Sequence, residues 1–273
     1  MSILKNSRKP AKKNIRQAKL QVEALVSDDG RAELKNAVVV FRQTVDAVEN
    51  FHKTYLDLRS NRTEEPTHGE QDLLRAMLVF ACSGLDAVVK QLLHDSLAAV
   101  IDNDLGAEKE FEKFVERKFR KTNLQDDKDK SGSATIDAAM LSSAITSRDP
   151  RSFLVGTLRR TLTGDSLQST DQLLRVAAHF AITKDEVLPA NTDAKDGFKA
   201  HNEIIHEMDV DFLPSTKQKS ERRIRQYGTF KKYSENTLST AARFINAVSK
   251  KLSKPSTEIA DDLIGKMRRT KAN

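Results

Sequence analysis

The chain has 273 residues, enough to bury a core of its own, as one large domain or as a domain with a substantial appendage. With 38% hydrophobic and 31% charged residues, no Trp, 10 Gly and 6 Pro, it suits helices with solvent-facing sides better than Gly-rich, aromatic-rich sheets. The balance of 46 basic to 39 acidic residues gives a net charge of +7 that is mostly interspersed, while the single cysteine, Cys82, excludes an internal disulfide or a cysteine-rich metal site and points to a reducing compartment.

The N-terminal stretch concentrates Lys5, Arg8, Lys9, Lys12, Lys13, Arg16 and Lys19, a basic run expected to fray and able to attract a polyanion such as RNA. From Ala32 to Arg59, Leu34, Val38, Phe41, Val45, Val48, Phe51, Tyr55 and Leu58 recur at intervals of three and four, the single apolar stripe of a long amphipathic helix. Asn61, Pro66 and Gly69 carry loop chemistry and end it. A second helical pattern runs from Asp72 to Ile101 with apolar residues on more than one side, which predicts a central position in a bundle. Cys82 lies within it and reads as a small core residue. Asp86, Lys90 and His94, four apart on this helix, form either a solvated ladder or the lining of a polar pocket.

A shorter charged helix is predicted over Glu108–Arg120, and the polar stretch from Asn123 to Ser133 reads as an exposed loop. Helices follow over Ala134–Ile145, around Phe153–Leu162, and over Ser169–Ile182, where Ser169 and Gln172 have the spacing of a capping box. Pro189 closes the next short piece, Asp193 can cap a helix to about Met208, and Pro214 stops it. The helical pattern breaks around Val210–Pro214, where a small β element is possible. Ser215 with Gln218 opens a last helical region to about Leu252, and a short amphipathic tail follows Pro255.

No phosphate loop, dinucleotide fingerprint, nucleophile elbow or HExxH zinc pair occurs. No run approaches the roughly 20 apolar residues of a membrane span, and the N-terminus lacks a signal-peptide stretch, so the reading is a cytoplasmic protein without a membrane partner.

Chemistry concentrates in Phe198-Lys199-Ala200-His201-Asn202-Glu203-Ile204-Ile205-His206-Glu207-Met208-Asp209. Residues five apart on a helix diverge by about 140°, so His201 and His206 are badly placed to chelate one metal. Two imidazoles around an amide suit metal-free acid–base work on a phosphodiester; spacing alone also allows one His on the surface and one in the packing.

The run resembles the Arg-Asn-x-x-x-His motif of HEPN domains, with His201 at the Arg position and Asn202 and His206 matching. The run Leu154-Val155-Gly156-Thr157-Leu158-Arg159-Arg160, the stretch Gly164-Asp165-Ser166-Leu167-Gln168-Ser169 and the helix around Ser83-Gly84-Leu85-Asp86-Ala87 are similar to the RiboL-PSP-HEPN branch; the resemblance spans roughly 72–252. It implies an all-α, HEPN-like bundle with an additional long N-terminal helix, divided as residues 1–65, 66–254 and a 255–273 tail helix. It also implies a homodimer that sets two motif helices face to face in one composite ribonuclease site, without cofactor or metal. Active members are often toxins or antiphage effectors, so an antitoxin or defence-system subunit is an implied partner beside the RNA substrate.

By the same resemblance His206 is the acid–base residue, Asn202 the orienting amide, and His201 the occupant of the phosphate-binding place, where imidazole lacks the permanent charge and forked donors of guanidinium. Lys199 and the later basic run, with Arg222, Arg223 and Arg225, are candidate RNA contacts. Two other functions stand beside ribonuclease: a non-catalytic HEPN-like module binding nucleotides or a partner helix, and a helical nucleic-acid-binding scaffold.

Overall fold

A computed structural model describes residues 19–25, 31–60, 62–121, 135–164, 166–167, 169–188, 194–210 and 222–253. The fold is all-α. Among the described residues ten helices follow in order: α1 (Ala32–Arg59), α2 (His68–Asp95), α3 (Leu97–Asn103), α4 (Leu105–Phe119), α5 (Ala138–Thr146), α6 (Pro150–Thr163), α7 (Thr170–His179), α8 (Lys184–Val187), α9 (Ala194–Glu207) and α10 (Tyr227–Leu252). Between α4 and α5, Arg120–Lys121 and Thr135–Ile136 pair antiparallel over two residues each, too briefly to change the class.

The centre of the bundle is α2, which packs on α1 and α10 and also touches α9, α6 and α3. Leu74, Met77, Leu78, Ala81, Cys82, Leu85, Val88, Val89 and Leu92 are fully buried on it, which accounts for its nearly all-round apolar pattern. By length and composition alone α2 could cross a membrane, an exception to the expected lack of such a run; 56% of its most apolar stretch is buried inside the bundle. It begins earlier than its apolar stripe does, because Thr67 and Glu70 close a reciprocal capping box: Thr67 N–H donates to Glu70 Oε2 at 2.7 Å and Glu70 N–H to Thr67 Oγ1 at 3.3 Å. At its far end Ser96 interrupts the helix, and its hydroxyl donates to the Glu33 carbonyl at the start of α1 at 2.6 Å.

α1, which the resemblance leaves in an added 1–65 segment, packs into the same core: Leu34, Val38, Phe41, Val48 and Tyr55 join one apolar cluster that continues through α2 to Val248 of α10. Leu58, at the end of the stripe, is exposed. Gly84 of α2 faces Thr44 of α1 in a contact with no room for a Cβ at position 84. His52 of α1 shares a hydrogen bond of 2.7 Å with the Tyr227 hydroxyl, and Tyr227 stacks on Tyr55, which pins the start of α10 to α1.

Residues 19–25, where the basic run was expected to fray, lie extended along α10. Gln21 N–H donates to Glu235 at 2.7 Å, Glu23 N–H to the Ser239 hydroxyl at 3.2 Å, and Asn246 Nδ2 to the Ala24 carbonyl at 3.1 Å. The rest of that run, Lys5 to Arg16, lies outside the described residues, as do the 123–133 loop, Pro189, the proposed caps Asp193 and Ser215, and the 255–273 tail.

Short polar residues set several other helix starts. Asp104, Asp137 and Asp149 each accept backbone N–H groups of the first turn of α4, α5 and α6, and Pro150 occupies the first turn of α6. Ser169, at the predicted start, accepts from Gln172 N–H at 3.2 Å, and its hydroxyl donates to the side-chain Oε1 of Gln172 at 2.9 Å. α7 ends in a Schellman turn with Ala181 at φ 52°, Ile182 N–H reaching the Ala177 carbonyl and Ala181 N–H that of Ala178.

Candidate functional site

α9 carries the His201–His206 run and rests against α2, α7 and α10. Its inward face is Gly197, Phe198, Ala200, His201 and Ile204. Lys195, Lys199, Asn202, Ile205 and His206 are exposed. At about 100° per residue, Lys195, Lys199, Asn202 and His206 fall within an arc of about 60°, and His201 points about 130° away from its middle.

His201 therefore does not share the exposed face of Asn202 and His206. Only 1% of it is exposed, because Phe198 and Ile204, one turn before and one turn after, take that side of α9 into the core. Burial pushes its pKa below the ordinary histidine value; the hydrogen bond to Asn202 works the other way, and the charge of His206 adds to the lowering. Its Nδ1 lies 3.2 Å from Asn202 Oδ1. A carbonyl oxygen only accepts, so the neutral ring carries its proton on Nδ1 and donates it to Asn202. The ring holds the amide and leaves Asn202 Nδ2 as a donor on the outer face.

The arginines expected to meet RNA are matched by carboxylates of the protein. Arg222 pairs with Asp72 at 2.5 Å, Arg223 with Glu203 at 2.6 Å, and Arg225 with Glu203 at 2.5 Å and Asp209 at 2.6 Å. Lys217 and Lys219 lie outside the described residues. Hydrogen bonds from Arg222 hold the Asp72 carboxyl below its ordinary range. Burial alone would raise the Glu203 carboxyl, but the bonds from Arg225 and Arg223 outweigh it and the pKa is lowered. Arg75 of α2 completes the set, donating to Asp209 at 2.8 Å, to Asp72 at 3.1 Å and to the Arg223 carbonyl at 2.6 Å. Gln71 locks the same strand: its Nε2 donates to the Arg225 carbonyl at 3.0 Å and its Oε1 accepts Arg225 N–H at 2.9 Å.

This network fastens the end of α9 to α2. Just beyond His206, Met208 and Asp209 both adopt left-handed backbone, at φ 50° and 58°, and Asp209 N–H returns to the Glu203 carbonyl at 3.0 Å. Each costs on the order of 1–2 kcal/mol for a residue with a Cβ, which the buried pairing of Asp209 offsets. Val210 then bridges Arg222 antiparallel at a single residue pair; the rest of the 210–214 break, where a small β element was expected, lies outside the described residues. Sequence reasoning passes over Arg75, whose one signal is a charge set between Leu74 and Met77 in an apolar stripe.

The Asp86–Lys90–His94 set forms a surface arrangement. Lys90 pairs with Asp86 at 3.0 Å, Asp86 accepts the Leu167 N–H at 2.7 Å, and His94 turns to Asp95 at 3.1 Å. Cys82 is buried, and desolvation pushes its thiol up to about 12. Among the described residues no three His, Cys, Asp or Glu side chains gather as metal ligands.

Comparison of the chain with protein-family models, with curated proteins and with solved structures returned no match.

Proposed function

We propose that the chain is a metal-independent endoribonuclease of HEPN type, whose site is completed when two copies set their α9 helices face to face across a two-fold axis. The observation that carries this reading is that Asn202 and His206, the two residues matching the HEPN motif, share one exposed face of α9 while the mismatched His201 is turned inside. Ile205 and Met208, 48% and 64% exposed beside His206, supply apolar area for such a contact.

In this mechanism His206 takes the proton of a ribose 2′-hydroxyl. The 2′-oxygen attacks phosphorus, the bond to the 5′-oxygen breaks, and the partner's His206 gives that oxygen a proton. The products are a 2′,3′-cyclic phosphate and a 5′-hydroxyl. Asn202 Nδ2 donates to a non-bridging oxygen, and His201 holds the Asn202 amide from behind. A cytoplasmic toxin or antiphage effector, with an antitoxin or defence-system subunit as partner, is the setting this reading carries with it.

The test is incubation of the full chain with labelled single-stranded and structured RNA in excess EDTA, with its mass in solution measured in parallel. Cleavage by a dimer, reduced at least about a hundredfold in a folded His206→Ala variant, is the expected result. A monomer, or cleavage indifferent to His206, overturns it. The burial of His201 favours one second reading, a non-catalytic nucleotide- or partner-binding dimer, since that place offers no cation to the outer face. Dimerisation and RNA binding without cleavage is its signature.

A further inference from the structure

With His201 inside the core, the outer face of α9 must draw its cation for a phosphodiester from elsewhere on the helix. Lys199 stands three residues before Asn202 and seven before His206, on the same exposed face, with Lys195 a further turn back. At about 1.5 Å rise per residue the Cα of Lys199 is displaced roughly 4.5 Å along the axis from that of Asn202, within reach of a long flexible ammonium.

Two features leave this charge available. Glu203, the carboxylate one turn after Lys199 that would ordinarily neutralise it, is engaged by Arg223 at 2.6 Å and Arg225 at 2.5 Å. Asp196 and Glu207 lie roughly 90–110° round the helix from the middle of the stripe, which leaves Glu203 as the α9 carboxylate nearest to Lys199. Neither Lys199 nor Lys195 has an ion pair among the described residues.

We infer that Lys199 is the phosphate-holding residue of the site, with Lys195 extending the anion track one turn along α9. For its catalytic consequence the inference rests on the ribonuclease reading. The ion network is what makes it possible: the arginines that bind Glu203 spare Lys199 from it. Across a two-fold axis the paired helices then present four lysines and two His206 imidazoles to one cleft, an environment suited to a polyanionic strand.

The experiment uses the full chain, labelled RNA for cleavage in EDTA, and an uncleavable 2′-O-methyl RNA for binding over a series of salt concentrations. Lys199→Gln is expected to lower kcat/KM about ten- to a hundredfold, the loss of one charge-assisted contact. It should also make the slope of log K against log salt shallower by about 0.7, the single-strand value for one phosphate contact. Lys199→Arg should restore both, and Lys184→Gln, at an exposed lysine on α8, should change neither. A Lys199→Gln protein with unchanged slope and kcat/KM, where the parent chain cleaves, overturns the inference and leaves the ribonuclease reading standing. Binding that depends on Lys199 without any cleavage supports the anion site and removes the nuclease; no RNA binding by the parent chain overturns both.

Discussion

Asp209 and Arg75, 134 residues apart in the chain, meet at 2.8 Å inside the protein, with side-chain exposures of 0% and 4%. Asp209 closes the left-handed turn after α9, and Arg75 lies on the central helix α2. The pair thus transmits the position of the core to the last turn of α9, where His206 is carried. Its worth is asymmetric: the intact pair gains little over an apolar pair of the same shape, but removing Asp209 leaves the buried Arg75 with the half-exposed Asp72 as its remaining counter-ion and takes from Arg225 one of its two carboxylates.

Asp209→Ala is therefore expected to destabilise the protein by about 3–5 kcal/mol, read as a lower denaturant midpoint at unchanged m-value. A double Asp209→Leu, Arg75→Met variant should recover a large part of that loss. A single-variant cost below about 1 kcal/mol would show that the end of α9 is held by something else.

Met208 gives the opposite sign. It is 64% exposed and at φ 50°, so its side chain contributes little packing while its Cβ strains the backbone. At concentrations where the chain is monomeric, Met208→Gly is expected to raise stability by about 0.5–1 kcal/mol in thermal or denaturant unfolding. A destabilising result would show that Met208 is covered in solution, as by a second copy, and a concentration dependence of Tm would identify that case.

The helices were legible because their information is local: stripes at three and four mark α1, α2 and α10, and Ser169 with Gln172 marks the start of α7. What joins distant parts of the chain was not. Nothing near Arg222, Arg223 or Arg225 announces that Asp72, Glu203 and Asp209 will claim their charges, since those partners are brought in by tertiary packing. For the same reason α1 reads as an added helix although it completes the core. In the candidate site, the spacing of His201 and His206 required that they diverge, but only the docking of Phe198 and Ile204 decides which of the two goes inside.

Gly84 tests the α1–α2 contact. A Cβ there would overlap Thr44 Cγ2 and Oγ1 and lie 2.7 Å from Thr44 Cβ, so the helices would have to separate. Gly84→Ala should cost about 1–3 kcal/mol despite the better helix propensity of alanine. Adding Thr44→Ala removes the two nearest atoms, and the double variant should recover part of the loss. Equal destabilisation with and without the second change would place the strain elsewhere.

Acid should weaken the fold through its buried histidines before its carboxylates titrate. His179, 6% exposed at the end of α7, lies edge-on to the Phe114 ring, and its Nδ1 has no hydrogen-bond partner. Burial lowers its pKa to about 4; the charge of Glu110 opposes this, and Arg117 and Arg175 add to it. The folded protein keeps the ring neutral while the unfolded chain protonates it near the ordinary histidine value of 6.5. Between those two pH values the unfolded state holds the extra proton, so stability falls as pH falls, and below about 4 this contribution levels off. His52 and His201 are lowered as well, each chiefly by burial, and push in the same direction. Denaturant unfolding at intervals from pH 7 to pH 5, above the range where most carboxylates titrate, should show this slope, and His179→Phe should make it shallower without abolishing it. A slope unchanged in that variant would mean that His179 is protonated in the folded protein, and that its neighbours on α4 open to admit the charge.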